Sequence, residues 1–215
     1  MLANYTLAKS LDDTSENKQN GATQSNPFDP FYDWGYSNFD RRHVFVTSLL
    51  YEVPGDYGNP ALRAALADWS VTGILTLQSG LGFSVASGVD NARVGNTSQR
   101  ADIVGNPELS DDRPTNERIT QWFNTAAFAP NALGTFGTSR RNDVRGPGYA
   151  VLDVGIFKTF SFTDRFRVQF RAEAFNALNR ANFGLPNSTM TSAAFGRITT
   201  AADPRILQFA VRTWF

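Results

Sequence analysis

The residues best suited to do chemistry in this chain surround its single histidine. His43 follows Asp40, Arg41 and Arg42, and an imidazole near a carboxylate can act as a general base. No serine lies in a nucleophile-elbow motif, and a histidine without a placed partner makes no triad. The cluster is better explained as the polar end of a strand. We therefore predict no catalytic residue and no enzyme activity.

Two acidic pairs and one glycine-rich turn could hold an ion or a phosphate. Asp12-Asp13 and Asp111-Asp112 offer oxygen ligands, but they lack the spaced acidic ligands of a calcium loop. The turn at 146–148, Gly-Pro-Gly, is not followed by the Lys-Ser/Thr of a phosphate loop. The chain has no cysteine, which removes thiolate metal sites. We expect no metal site and no cofactor.

Aromatic residues are concentrated in two stretches, 28–39 and 122–128, that show no strand pattern. Flat aromatic faces can stack on sugars or on flat chelates. The candidates for ligand contact are Phe31, Tyr32, Trp34, Tyr36, Trp122 and Phe123. The alternative, which we favour, is that these rings pack the loops onto one another.

Six stretches alternate with a period of two, which is the period of a β-strand. The predicted strands lie at about 3–9, 43–53, 69–85, 149–162, 165–176 and 205–215. The stretch 165–176 is the clearest, with apolar residues at even positions and polar residues at most odd ones. The stretch 43–53 is apolar at both parities, so its orientation stays open. One polar face holds Arg167, Gln169, Arg171 and Glu173, and Arg212 lies on the polar face of the last strand.

The connections between these strands run long, short, long, short, long. Asn59-Pro60 predicts a capped helix in the first short connection, and Thr163-Asp164 predicts a tight turn in the second. Long and short connections then lie at opposite ends of the sheet, as in a transmembrane β-barrel with periplasmic turns and extracellular loops. A low mean hydropathy is compatible with this, because barrel strands alternate.

The predicted fold class is all-β: an antiparallel transmembrane β-barrel segment of about six strands with long extracellular loops. Its apolar face would contact outer-membrane lipid, and the polar residues named above would face the lumen. The last strand ends on Trp-Phe. We interpret Phe209, Val211, Trp214 and Phe215 as an assembly signal for the barrel-assembly machinery.

A soluble β-sandwich that binds a partner is the remaining alternative. It would have to cover the apolar strand faces with a second sheet. The 20 basic and 20 acidic residues balance, so charge gives no argument for a polyanionic partner, and we predict no nucleic-acid binding.

Several segments resemble TonB-dependent outer-membrane receptors. They are FDRRHVFVTSLLYEVP (39–54), DWSVTGILTLQSGLGFSV (68–85), WFNTAAFA (122–129), RGPGY (145–149), FRAEAFNALNRANFG (170–184) and FGRITTAADPRILQFAVRTWF (195–215). The chain is similar in particular to the Oar-like receptors, which carry an N-terminal carboxypeptidase-regulatory-like domain.

The resemblance implies that residues 1–215 are the C-terminal part of a plugged barrel of about 22 strands. The plug, the remaining strands and the N-terminal part that contacts TonB are absent from these residues, so we expect a fragment of a longer protein in the bacterial outer membrane. Its function would be TonB-dependent uptake of an unidentified ligand. The alternative is a surface or adhesive barrel that transports nothing.

Overall fold

The computed structural model of this chain describes residues 1–15, 25–55, 57–163 and 165–215. Part of the long connection predicted at 11–40 and Asp164 of the predicted tight turn lie outside the described residues. The main element is an antiparallel sheet of six strands. These are β1 (Leu2–Leu7), β2 (His43–Glu52), β3 (Trp69–Gln78), β4 (Tyr149–Ser161), β5 (Arg167–Phe175) and β6 (Ile206–Trp214).

Each strand pairs with its neighbour in sequence, so the sheet is a meander from β1 to β6. Among the described residues β1 and β6 have no second partner strand, and the sheet is open. The predicted strands are confirmed with small changes of boundary, except that the strand predicted over 69–85 ends at Gln78. A Cβ on Gly80 would come within 1.8 Å of the carbonyl oxygen of Gly146. This close crossing takes the chain out of the sheet, and Gly82–Phe83 pairs with Val144–Arg145 instead.

The strand register gives the sheet one apolar and one more polar face. Residues opposite each other in adjacent strands point to the same side. One row across five strands is apolar: Tyr51, Val71, Ile156, Ala172 and Phe209. The neighbouring row on the other face is Leu50, Thr72, Gly155, Glu173 and Gln208. The register also settles the orientation of β2, which the sequence leaves open, because it places Tyr51 in the apolar row.

The apolar face is exposed to its surroundings. Phe209 is 76% exposed, and Ile156 and Phe170 are also exposed. One charged side chain lies on this face: the ammonium of Lys158, which is almost fully buried, donates to the carbonyl of Ala67 and lies 5.7 Å from the ring centroid of Trp69. The lysine thus directs its charge to the short-connection end while its methylene groups lie along the apolar face.

The connections segregate to opposite ends of the sheet, as predicted. The short connections are 53–68 and 162–166, and the long ones are 8–42, 79–148 and 176–205. The first short connection contains α1 (Pro60–Leu66), and the side chain of Asn59 accepts the Ala61 N–H at 2.9 Å. This confirms the predicted cap. Within the described ranges, no helix has both the length and the apolar character needed to cross a membrane.

The described residues of the three long connections form a compact layer, here called the loop cap. It contains α2 (Thr115–Thr120), a 3₁₀ helix (Thr125–Ala127) and paired two-residue strands, Leu11–Asp12 with Gly35–Tyr36 and Asp102–Ile103 with Phe128–Ala129. Its core consists of Phe83, Val85, Ala101, Phe123, Ala127 and Phe128. The sequence predicts only short local patterns here, because this core joins residues far apart in the chain.

Candidate functional site

The loop cap is organised around Phe123, which is 2% exposed. Its ring centroid lies 5.4 Å from that of Phe83, 5.7 Å from that of Phe128 and 5.4 Å from that of Phe195. Two of these contacts are edge-to-face, a favourable geometry for aromatic rings. The structure therefore places this ligand-contact candidate in the core of the loop cap.

Trp122, the neighbouring candidate, is half-buried and held in a fixed orientation. Its indole Nε1–H donates to the carbonyl oxygen of Arg145 at 2.8 Å, and its backbone N–H donates to Gly196 at 2.8 Å. The guanidinium of Arg118 lies 4.9 Å from the ring centroid, within cation–π range. Trp122 thus presents an oriented aromatic surface at the edge of the loop cap.

Tyr32 and Tyr36 pack against arginines of the connection 79–148. The Tyr32 hydroxyl donates to the Gly137 carbonyl at 2.6 Å, and the Arg100 guanidinium lies 3.7 Å from its ring centroid. Burial raises the pKa of Tyr32, and the positive charge of Arg100 only partly opposes this. The Tyr36 ring lies 4.4 Å from the guanidinium of Arg145. Both tyrosines join one long connection to another.

The two remaining aromatic candidates, Phe31 and Trp34, are exposed, as are Phe28 and Phe39. The six aromatic candidates therefore fall into two groups, packed and exposed. Phe123, Trp122, Tyr32 and Tyr36 make packing contacts between loops, whereas Phe31 and Trp34 present rings to the surroundings. Contact of any of them with a ligand stays a prediction.

Among the described residues, three ion pairs connect the first and second long connections. They are Arg100–Asp33, Arg145–Asp40 and Arg141–Asp12. The Arg145–Asp40 distance is 2.8 Å, and Asp40 is almost fully buried. Sequence analysis missed these pairs, because the partners are separated by 67 residues or more and no local pattern links them. The sequence shows arginines and aspartates in both connections, but no spacing that pairs one with another.

Asp40 therefore pairs with Arg145, and the cluster suggested by the sequence does not form a triad around His43. The exposed His43 instead contacts the Tyr5 hydroxyl through Nδ1 at 2.8 Å, across β1 and β2. In the part of the chain that the structure describes, no group of three His, Cys, Asp or Glu side chains is placed to hold a metal ion.

The predicted lumen residues lie together on the more polar face. Gln169 is opposite Arg212 in the register, and Arg171 donates to Glu173 at 3.0 Å on the same strand. Arg167 is opposite Trp214. These side chains share one face in the strand register, and their assignment to a lumen stays a prediction because the sheet is open.

The residues interpreted as an assembly signal occupy both faces of β6. Phe209 and Val211 lie on the apolar face, opposite Ala172 and Phe170. Trp214 lies on the other face, and Phe215 follows the strand and is exposed.

A family model described as an outer membrane beta barrel domain matches residues 1–208. The chain belongs to this family. No curated protein and no solved structure matches the chain. Membership of the outer membrane beta-barrel domain family places the protein in the bacterial outer membrane.

For an outer-membrane barrel domain, the exposed apolar face is the expected surface toward lipid. The soluble β-sandwich considered from the sequence is wrong, both because of the family and because the described residues form no second sheet over that face. The antiparallel all-β fold class is confirmed.

Proposed function

We propose that this outer-membrane domain is the wall and loop portion of a TonB-dependent receptor that imports a ligand. The observation that supports this proposal is the loop cap. All long connections lie at one end of the sheet; the second and third share a hydrophobic core, and ion pairs join the first to the second. Long loops built into a rigid layer suit an importer, which must capture a ligand at the outer mouth of its barrel.

In this proposal the edge strands β1 and β6 pair with further strands of the same barrel. Such pairing is needed because unpaired backbone N–H and C=O groups are costly in lipid. A plug domain fills the lumen and contacts Arg167, Gln169, Arg171, Glu173 and Arg212. TonB, acting through a segment outside these residues, supplies the energy for plug movement. The chain itself contributes barrel wall, loop cap and the strand β6 that the assembly machinery reads.

The alternative, a surface barrel that binds partners without transport, has one supporting observation. Phe28, Phe31, Trp34 and Phe39 are four exposed aromatic rings within one connection. Exposed aromatic surface of this kind is typical of binding sites for partners.

The native polypeptide in an outer-membrane extract separates these proposals. Its mass and tryptic peptides should show a chain on the order of 100 kDa that includes a plug, the size expected for a plugged barrel of about 22 strands. A polypeptide near 23.7 kDa, or a longer one whose peptides contain no plug, would contradict the importer and support the surface barrel.

A further inference from the structure

A cavity of about 310 Å³ opens between α2, the residues that lead into β4 and the connection after β5. Ligand sites in proteins span about 300–1,000 Å³, so this cavity has room for one ring-sized group and not for a large ligand. Its walls include Thr115, Arg118, Trp122, Gly148, Arg180 and Phe183.

The electrostatic character of the cavity is positive. Arg118 and Arg180 line it, and no aspartate or glutamate is among the described residues of its walls. Arg118 forms an ion pair with Asp111, which lies outside these walls, at 3.4 Å and with its side chain 93% exposed. Such a long, solvated pair contributes little, so a ligand anion can replace Asp111.

The neighbouring Arg113 differs from Arg118, because its hydrogen-bond donors are already occupied. The guanidinium of Arg113 donates to three backbone carbonyl oxygens, those of Ser110, Gln121 and Trp122, at 3.0, 2.8 and 3.3 Å. The donors of Arg113 are therefore occupied by backbone carbonyl groups nearby. Arg118 is oriented by the Trp122 ring, and its hydrogen-bond donors remain largely available.

The cavity also has an aromatic wall that is already in place. The hydrogen bond from the Trp122 indole to Arg145 fixes one ring, and Phe183 supplies a second. Thr115 and Gly148 add neutral polar residues to the walls. An oriented ring beside arginines and neutral polar groups suits a sugar that carries a carboxylate, since guanidinium groups bind carboxylates in bidentate geometry.

We propose that this cavity binds an acidic monosaccharide unit, a hexuronate, with its carboxylate on Arg118 and Arg180 and its ring on Trp122. The source can be a free sugar or the end of a longer glycan, because both present the same unit. The proposal concerns binding at the loop cap and applies to an importer and to a surface barrel alike.

Calorimetric titration of the native protein, purified from the outer membrane in detergent, tests the proposal. The probes are glucuronate, glucose and benzoate, which separate the contributions of carboxylate and sugar ring. Glucuronate should bind at least about tenfold more tightly than glucose, the loss expected for one charge-assisted hydrogen bond. Glucuronate should also bind more tightly than benzoate.

Two variants locate the binding. Arg118→Gln and Arg180→Gln should each weaken glucuronate binding about tenfold. Arg180 is exposed, so its replacement leaves the packing of the loop cap intact. Arg140→Gln, at another exposed position of the loop cap, is the control and should bind as the wild type does.

The proposal is overturned if glucuronate does not bind, if glucose or benzoate binds as tightly, or if both variants behave like the control. A glucuronate-terminated oligosaccharide that binds more tightly than the free sugar would identify a glycan end as the source. These outcomes are independent of the polypeptide mass that tests transport.

Discussion

The guanidinium of Arg100 and the carboxylate of Asp33 form an ion pair inside the loop cap, with an N–O distance of 2.5 Å and side chains only 5% and 8% exposed. Arg100 also donates to the carbonyl oxygens of Tyr32 and Ser139, at 2.6 and 2.9 Å. A single buried guanidinium thus joins the connection before β2 to the one before β4.

Replacing Arg100 by leucine should destabilise the loop cap by about 3–5 kcal/mol, because it leaves the Asp33 charge buried without a partner. Thermal unfolding and limited proteolysis of the purified protein would measure the loss. The double variant Arg100→Leu with Asp33→Leu should recover part of the stability. Equal losses for the single and double variants would contradict this prediction, and Arg140→Leu serves as the exposed control.

Phe123→Ala should destabilise the loop cap by about 3–5 kcal/mol, since it leaves a cavity among Phe83, Phe128 and Phe195. Hydrogen exchange should rise in the long connections while the strands stay protected. Phe31→Ala, at an exposed ring, is the matched control and should change neither the stability of the loop cap nor its hydrogen exchange. Faster exchange in β3 and β4 would show that cap and sheet unfold together.

Phe170→Arg should impair assembly in the outer membrane. The site lies on the apolar face opposite Val211, where an arginine costs about 2–4 kcal/mol at the middle of the bilayer. Arg171→Leu, one position along on the other face, should leave assembly intact. The heat-modifiable band of the membrane fraction measures the assembly of each variant. If the two variants assembled equally well, the assignment of the faces would be wrong.

Removal of Trp214 and Phe215 should abolish assembly if the end of β6 is the part that the assembly machinery reads. Phe162→Ala, at another exposed aromatic of the short-connection end, is the control. A normal heat-modifiable barrel after the deletion would refute the assembly signal.

The hydrogen bonds that Asp90 accepts should contribute less to stability in acid. Burial acts to raise the pKa of Asp90, but hydrogen bonds from the Val94 and Gly95 amides and the Gln99 side chain outweigh it and lower the pKa. A lowered folded-state pKa stabilises the fold above the ordinary carboxyl value, and this contribution disappears as the pH falls through the folded-state pKa.

Thermal unfolding at about pH 6 and about pH 3 measures this effect, since the ordinary carboxyl pKa lies between them. Asp90→Asn should show a smaller fall in melting temperature between the two pH values than the wild type. Asp143→Asn, at an exposed position, is the control. An unchanged fall in Asp90→Asn would contradict the prediction.

The sequence by itself determined the strands, the side of the sheet on which Arg167, Gln169, Arg171 and Glu173 lie, and the end at which each connection emerges. These features depend on neighbouring residues, because a strand alternates every two residues and each hairpin reverses the chain. The cap at Asn59 is equally local. For this reason the membrane-facing architecture could be predicted with few errors.

Only the tertiary structure decided what the long connections do. The pairing of Asp33 with Arg100, the meeting of Phe123 with Phe195 and the crossing of Gly80 over Gly146 join residues that no period in the sequence relates. The same holds for the partner of Lys158: alternation along β4 places this lysine on the apolar face, but the Ala67 carbonyl that accepts from it belongs to a distant connection. Contacts between distant segments depend on how the whole chain packs, and the cavity beside Trp122 arises from that packing.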